Sequence, residues 1–203
     1  MTTLADVWRP MPAAASLDAR RARTAWLLFD LALVLAGSAF IALSALVAFP
    51  LPFSPVPVTG QTFAVLLVGA ALGRWRGTAA VLAYLAEGAA GLPVFAGGLS
   101  GPAVLVGPTG GYLFGFVLGA WLCGYLAERG WDRRVGGTLA SMILGNIVIF
   151  AIGLPWLARF VGGANVWTMG FWPFIPGDIV KIGLAAAALP LAWKWLGGRT
   201  GRA

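Results

Sequence analysis

The sequence predicts an all-α, polytopic membrane protein, a single bundle of six transmembrane helices. Three observations carry that expectation. Of 203 residues, 60% are hydrophobic and only 10% charged, and the mean hydropathy is +0.87; a soluble domain carries about 45–50% apolar and about 25% charged residues. Apolar runs recur along the chain at close to span length. The basic residues fall almost entirely at alternate ends of those runs. Too few polar side chains remain to cover a water-facing surface, so lipid is the solvent for most of the chain. At roughly 20 residues per span plus connections, the length accommodates about six helices.

Residues 1–24 lack an apolar signal-peptide core and lead through Arg20, Arg21 and Arg23 into the first span, so they read as a cytoplasmic tail. The first span covers 25–48 and stops at Phe49-Pro50-Leu51-Pro52-Phe53-Ser54-Pro55-Val56-Pro57, whose prolines remove backbone donors. The second covers 61–72, short for a full crossing, and closes on Gly73-Arg74-Trp75-Arg76-Gly77. The third covers 78–91, the fourth 112–127, the fifth 138–157 and the sixth 176–196. The transmembrane domain thus spans 25–198, with a short cytoplasmic tail at 199–203.

Charge tests this layout. With the N-terminus inside, the inner side holds twelve of the fourteen basic residues, the outer side holds Arg159, and Lys181 lies within a span. That asymmetry places both termini in the cytoplasm of a cell (inner or plasma) membrane. The tryptophans agree: Trp26, Trp75, Trp131, Trp193 and Trp195 fall at inner ends, and Trp156, Trp167 and Trp172 at outer ends, as an interfacial belt. The outer segments Pro50–Gly60 and Leu92–Gly111 carry no charge and are rich in Gly, Pro and apolar residues. Such backbone is tolerated at membrane depth only where protein packs on it or it lines a cavity, which makes these segments lids over a pocket open to the outside.

Several chemistries are excluded. The net charge of +7 and pI near 10.8 would point to nucleic acid in a soluble protein, but here the basic residues are topology signals, so no nucleic-acid partner is expected. There is no histidine, which removes imidazole metal sites and His acid–base chemistry; no cofactor is expected. Cys123 reads as a small buried hydrophobe. Gly107-Pro108-Thr109-Gly110-Gly111-Tyr112 lacks the Gly-Lys-Ser/Thr ending of a phosphate loop, so any energy comes from a partner or a gradient. No nucleophile–base constellation is visible, and the chain is not expected to be an enzyme.

Ionisable residues inside spans cost about 2.5–3.5 kcal/mol each at a helix centre and need a reason. They are Asp30, Glu87, Asp178 and Lys181. Asp30 reads as facing the inner interface or Arg23, and Glu87 as interfacial or ligand-facing. Asp178 and Lys181, three apart, project from one helix face. They follow a Pro-Gly start that sets Asp178 in the positive end of the helix dipole. They are either a self-contained ion pair or a polar pair holding a ligand, and we favour the second. Such a ligand is small and partly apolar, with paired N–H donors and an acid group. Asn146 offers its amide to the cavity or to a neighbouring helix; Thr59 and Gln61 reach a ligand or cap the second span. Small residues four apart on the first span, Ala32 with Ala36 and Ser38 with Ala42, allow close helix approach.

Four segments together resemble a known family: Pro55-Val56-Pro57-Val58-Thr59-Gly60-Gln61-Thr62, Gly91-Leu92-Pro93-Val94-Phe95-Ala96-Gly97-Gly98, Gly107-Pro108-Thr109-Gly110-Gly111-Tyr112 and Pro176-Gly177-Asp178-Ile179-Val180-Lys181. In order and spacing they are similar to BioY, the biotin-specific substrate-binding (S) components of energy-coupling factor transporters. The resemblance implies a six-helix S-component fold with a biotin pocket near the outer face. It implies that Asp178 accepts from the ureido N–H groups and that Lys181 donates to the ureido oxygen or the valerate carboxylate. Thr59, Gln61, Tyr84, Phe95, Gly97, Gly98, Thr109, Tyr112 and Asn146 are the further expected binding residues. It also implies a transmembrane coupling protein with ATPase subunits, docked on a face containing Ala32 and Ala36. Some relatives carry a basic residue before Gly-Pro-Thr-Gly-Gly-Tyr; here Ala103-Val104-Leu105-Val106 is apolar, which shifts the carboxylate contact to Lys181 or lid backbone N–H groups. A different vitamin or a biotin precursor is the alternative ligand, and a non-transport membrane assembly protein the alternative class.

Overall fold

The computed structural model describes residues 3–8 and 19–200. Six principal helices are present, in the predicted order: α1 (Ala19–Ala45), α2 (Gln61–Leu72), α3 (Arg74–Ala89), α5 (Gly110–Ala127), α6 (Val135–Val161) and α8 (Ile175–Thr200). Two short helices, α4 (Pro102–Val106) and α7 (Val166–Gly170), lie in the α3–α5 and α6–α8 connections. α5 is the enclosed helix, packed on α6, α2 and α3; 67% of it is buried, against 17% of α1. Four helical segments, Arg23–Ala45, Gly110–Ala127, Val135–Val161 and Val166–Leu196, are long and apolar enough to cross a membrane. α2, at 12 residues, rises only about 18 Å against a hydrocarbon core of about 30 Å.

The departures from expectation are local and physical. α1 begins at Ala19, inside the segment read as tail, and ends at Ala45. Arg74–Gly77, read as a loop, is the first turn of α3, because Gly73 alone, at φ 86°, reverses the chain. The proline-rich first lid is a hairpin, β1 (Ala48–Leu51) paired antiparallel with β2 (Ser54–Thr59) about a Pro52-Phe53 turn. It forms despite its prolines because the paired residues are Ala48 with Thr59, Phe49 with Val58 and Leu51 with Ser54, and none of these is proline. The second lid contains a 3-10 turn at Ala96–Gly98 before α4.

Polar residues inside the bundle are tied to one another. Asp30 pairs with Arg76, not with Arg23, at 2.9 Å from Nε to Oδ1. Arg76 also reaches Asp6 at 2.7 Å, drawing the 3-10 turn Leu4–Trp8 against the bundle. Glu87 accepts a 2.6 Å hydrogen bond from the Ser38 hydroxyl, which joins α3 to α1. Cys123 is buried against the Ser141 carbonyl. Among the belt tryptophans, Trp156 Nε1 donates to Gly107 O at 2.9 Å and Trp193 Nε1 to Asp132 Oδ2 at 2.6 Å.

Small residues let the helices touch. A Cβ on Gly69 of α2 would lie 2.8 Å from Ala120 Cα of α5, and closer still to the Ala120 carbonyl. Gly69→Ala therefore forces backbone apart, at about 1–3 kcal/mol for overpacking, and lowers the melting temperature in detergent by at least about 3 °C. Gly183→Ala, where an added Cβ meets nothing within 4 Å, leaves it unchanged or raises it. Equal melting of the two variants would contradict the α2–α5 contact.

Candidate functional site

The two lids, the N-terminal parts of α2 and α5, the middle of α6 and the segment before α8 enclose a cavity. Gly60 passes the chain from β2 directly into α2, so Thr59 and Gln61 sit at the cavity wall. Thr59 Oγ1 donates to Gln61 Oε1 at 3.0 Å and accepts from the Gln61 backbone N–H at 3.3 Å, fixing the amide. Gln61 Nε2 in turn donates to the Tyr84 hydroxyl. Tyr84, fully buried on α3, meets Phe95 edge to face at 5.6 Å between centroids. One chain of contacts thus joins the first lid, α2, α3 and the second lid.

On the other side Thr109 stands immediately before the first turn of α5. Tyr112 donates to Gly170 O at 2.9 Å, stacks on Phe174 at 6.0 Å and meets Phe150 edge to face at 6.2 Å. Phe116 and Ile149 complete an aromatic and aliphatic wall. The space measures ≈ 700 Å³ including its open mouth. Each lid is anchored: Ser54 Oγ donates to Met169 O at 2.7 Å, and Trp156 holds Gly107.

Of the residues singled out from sequence, Thr59, Gln61, Phe95, Thr109 and Tyr112 line this cavity. Tyr84 stands one layer behind it. Gly97 and Gly98 shape the lid turn, at φ 70° and 76°, beside the lining residue Ala96. Asp178 and Lys181 also lie behind the wall. Lys181 Nζ donates to Asp178 Oδ1 at 3.1 Å and to Thr62 Oγ1 at 2.9 Å, and it is Thr62 that faces the cavity. Asp178, 4% exposed, keeps Oδ2 buried and without a hydrogen-bond partner. Asn146 donates to Met142 O within its own helix at 3.1 Å, so the expected interhelical bond is not made. Its Oδ1 is buried and unpartnered beside a narrow void shared with Thr62 and Lys181. Ala32 and Ala36 lie on the exposed side of α1, while Ser38 and Ala42 turn inward.

Sequence reasoning missed Thr62, Phe116, Phe150 and Phe174. A signal was present for two of them: Phe150 is one helical turn from Asn146, and Phe174 one turn before Asp178. Val104, from the apolar stretch Ala103–Val106, lines the cavity.

The BioY family model matches residues 13–198. The chain belongs to the BioY family. The biotin transporter BioY of Rhizobium etli is 42% identical over 154 residues, covering 72% of this chain and 82% of that one. The biotin transporter BioY of Thermotoga maritima is 45% identical over 137 residues, covering 67% and 80%. The crystal structure of an S-component for biotin from an ECF-type ABC transporter superposes with a TM-score of 0.74 at 28% identity, covering 89% of this chain and 95% of that one. Family membership and the six-helix S-component fold therefore agree, and the chain is membrane-embedded.

The lid anchor yields a direct expectation. Trp156→Phe keeps a ring against Gly111 but deletes the donor to Gly107 O, a loss of about 0.5–1.5 kcal/mol. Hydrogen exchange at residues 102–110 accelerates severalfold while the cores of α5 and α6 stay protected. Unchanged exchange in the lid would show that this bond does not hold it.

Proposed function

We propose that this chain is the biotin-binding subunit of a vitamin uptake transporter, capturing biotin from outside in the cavity beneath the hairpin and the 92–111 lid. The observation that carries this is the pairing of an aromatic cavity with a buried carboxylate oxygen, Asp178 Oδ2, that has no protein partner one side chain behind the wall. An unmet buried acceptor is costly and is relieved by a donor. The ureido ring of biotin presents N–H donors beside a compact apolar bicycle, so it answers both the acceptor and the Tyr112, Phe150 and Phe174 surfaces.

Rotation of Thr62, which borders both the cavity and the Asp178–Lys181 pair, opens the wall between ligand and acid. Lys181 then gives up the Thr62 hydroxyl for the ureido oxygen and stays paired with Asp178. Val104 offers no charge to the valerate carboxylate, so that group is assigned to the start of α5, where Thr109 lines the cavity and no side chain caps the helix. The apolar Val104 also favours one second reading, a biotin precursor with a different tail; a competition panel against labelled biotin separates the two.

The inner-side arginines orient both termini to the cytoplasm, and the lids to the outside. Energy comes from a transmembrane coupling protein and its ATPase subunits. The exposed Ala32 and Ala36 of α1 admit close approach of a partner helix at that face.

Calorimetry of the detergent-solubilised chain tests the site. Asp178→Asn and Lys181→Ala each weaken biotin binding by at least about 1.5 kcal/mol, roughly tenfold, as for loss of a charged hydrogen bond. Lys181→Ala weakens biotin and biotin amide equally if Lys181 serves the ureido ring, whereas a loss confined to biotin would move Lys181 to the carboxylate. Wild-type affinity in both variants would remove Asp178 and Lys181 from the site.

A further inference from the structure

A second concavity lies at the other end of α5 from the cavity. α5 stops at Ala127, Gly130 turns the chain at φ 84°, a 3-10 turn covers Trp131–Arg133, and α6 begins at Val135. The basin they enclose measures ≈ 1100 Å³ including its mouth and is lined by Arg129, Arg133, Arg134, Gly136 and Gly137, with the Trp131 indole at its edge.

The guanidinium groups are held in place without losing their charge. Arg129 lies over the Tyr125 ring at 3.4 Å, and Arg133 over Trp193 at 4.6 Å. A cation on an aromatic face keeps its outward N–H fork. Among the described residues, Arg129 and Arg134 form no ion pair. Of the nearby acids, Glu128 pairs with Arg74 at 3.3 Å, while the buried Asp132 accepts from Trp193 at 2.6 Å and feels the field of Arg133, which leaves Arg129 and Arg134 to carry the basin's charge. The 27-residue α6 opens at this basin with no side-chain cap. Its second and third residues are glycines, and a Cβ on Gly136 would meet nothing within 4 Å. The start of the helix therefore adds positive potential of the same sign, unshielded by side chains.

Beyond the basin the surface turns apolar along one line. Val135, Leu139, Ile143 and Ile147 follow at i, i+4 spacing down α6, and Val135, Ile143 and Ile147 are about half exposed. Arginines and an indole at one end of an exposed apolar stripe match a phospholipid from headgroup to chain. We infer that this basin binds the phosphate headgroup of an anionic phospholipid, with an acyl chain laid along the Val135–Ile147 stripe. The inference rests on the inward orientation proposed above and is independent of what fills the outer cavity.

Native mass spectrometry of the full-length chain, titrated with phosphatidylglycerol or phosphatidylcholine, tests it. Phosphatidylglycerol is retained preferentially, and R129Q with R134Q weakens its retention about 30-fold, the change expected for two basic side chains at a membrane surface. R129K with R134K recovers most of it. R199Q with R202Q, which removes equal charge within the last five residues of the sequence, leaves retention unchanged; equal loss in both pairs would reduce the basin to diffuse surface charge and overturn the site. Displacement of the lipid by millimolar inorganic phosphate would overturn the lipid in favour of a free anion. Lipid retention intact in R129Q/R134Q, with loss of a co-purifying coupling subunit, would overturn it in favour of protein docking. Biotin calorimetry on the same variants stays at wild-type affinity, so failure here is distinguishable from failure of the ligand assignment.

Discussion

Backbone that is neither helical nor wetted has to find its hydrogen bonds inside the protein, and the cavity exists because two uncharged lid segments do so. The first satisfies itself as a hairpin and then spends the Ser54 hydroxyl on Met169 O. The second returns Gly101 N–H to Gly88 O at 2.8 Å, closes Phe95 N–H on Leu99 O at 3.0 Å, and offers Gly107 O to Trp156. Once those groups are met within the protein, the residual surface of both lids is side chain, and most of that is apolar. An aromatic roof follows from the accounting of the backbone.

The polar side of the site obeys the opposite logic. Asp178 and Lys181 are an ion pair whose desolvation is only partly offset: the ammonium has two acceptors, but one carboxylate oxygen has no donor. Breaking such a pair is strongly destabilising, while a well-packed apolar replacement often is not. A fold under selection for stability alone has no need of it. The arrangement makes sense as a site held incomplete, with Thr62 covering an acceptor that a ligand donor completes. The Thr59–Gln61–Tyr84 chain shows the contrast, since its side-chain amide is already oriented on both sides.

Much of this was legible in the sequence, and the failures share a cause. Hydropathy and charge located all six helices, and α2 coincides with its predicted bounds because Gly60 and Gly73 punctuate it. Asp178 and Lys181 stood out because ionisable residues are rare in apolar runs. Phe116, Phe150 and Phe174 did not, because in a chain that is 60% hydrophobic a cavity-lining ring reads like a lipid-facing one. The hairpin was hidden by counting prolines instead of asking which residues pair. Asp30 reads in the sequence as facing the inner interface or Arg23, whereas its partner Arg76 arrives through the α1–α3 packing that Gly37 permits against Ala80. The hydrogen bonds of Trp156 and Trp193 were not legible in the sequence either, because an indole at an interface and an indole latching a loop share a position there.

α1 connects these levels. Asp30 holds it to Arg76, Ser38 holds it to Glu87, and its C-terminal end runs through only Leu46 and Val47 into the hairpin that roofs the cavity. It is also the least buried of the spanning helices, and its outward side carries Ala32 and Ala36. Whatever contacts that side is therefore covalently continuous with the first lid and hydrogen-bonded to the helix that carries Tyr84. Because packed interfaces and anchored hairpins are bistable more readily than they are elastic, a displacement of α1 that breaks the Ser38–Glu87 bond has to be accommodated either at Gly37 against Ala80 or at the hairpin. The close Gly37–Ala80 contact leaves little room at the first, so the strain falls on the hairpin and on the Ser54–Met169 bond that closes it.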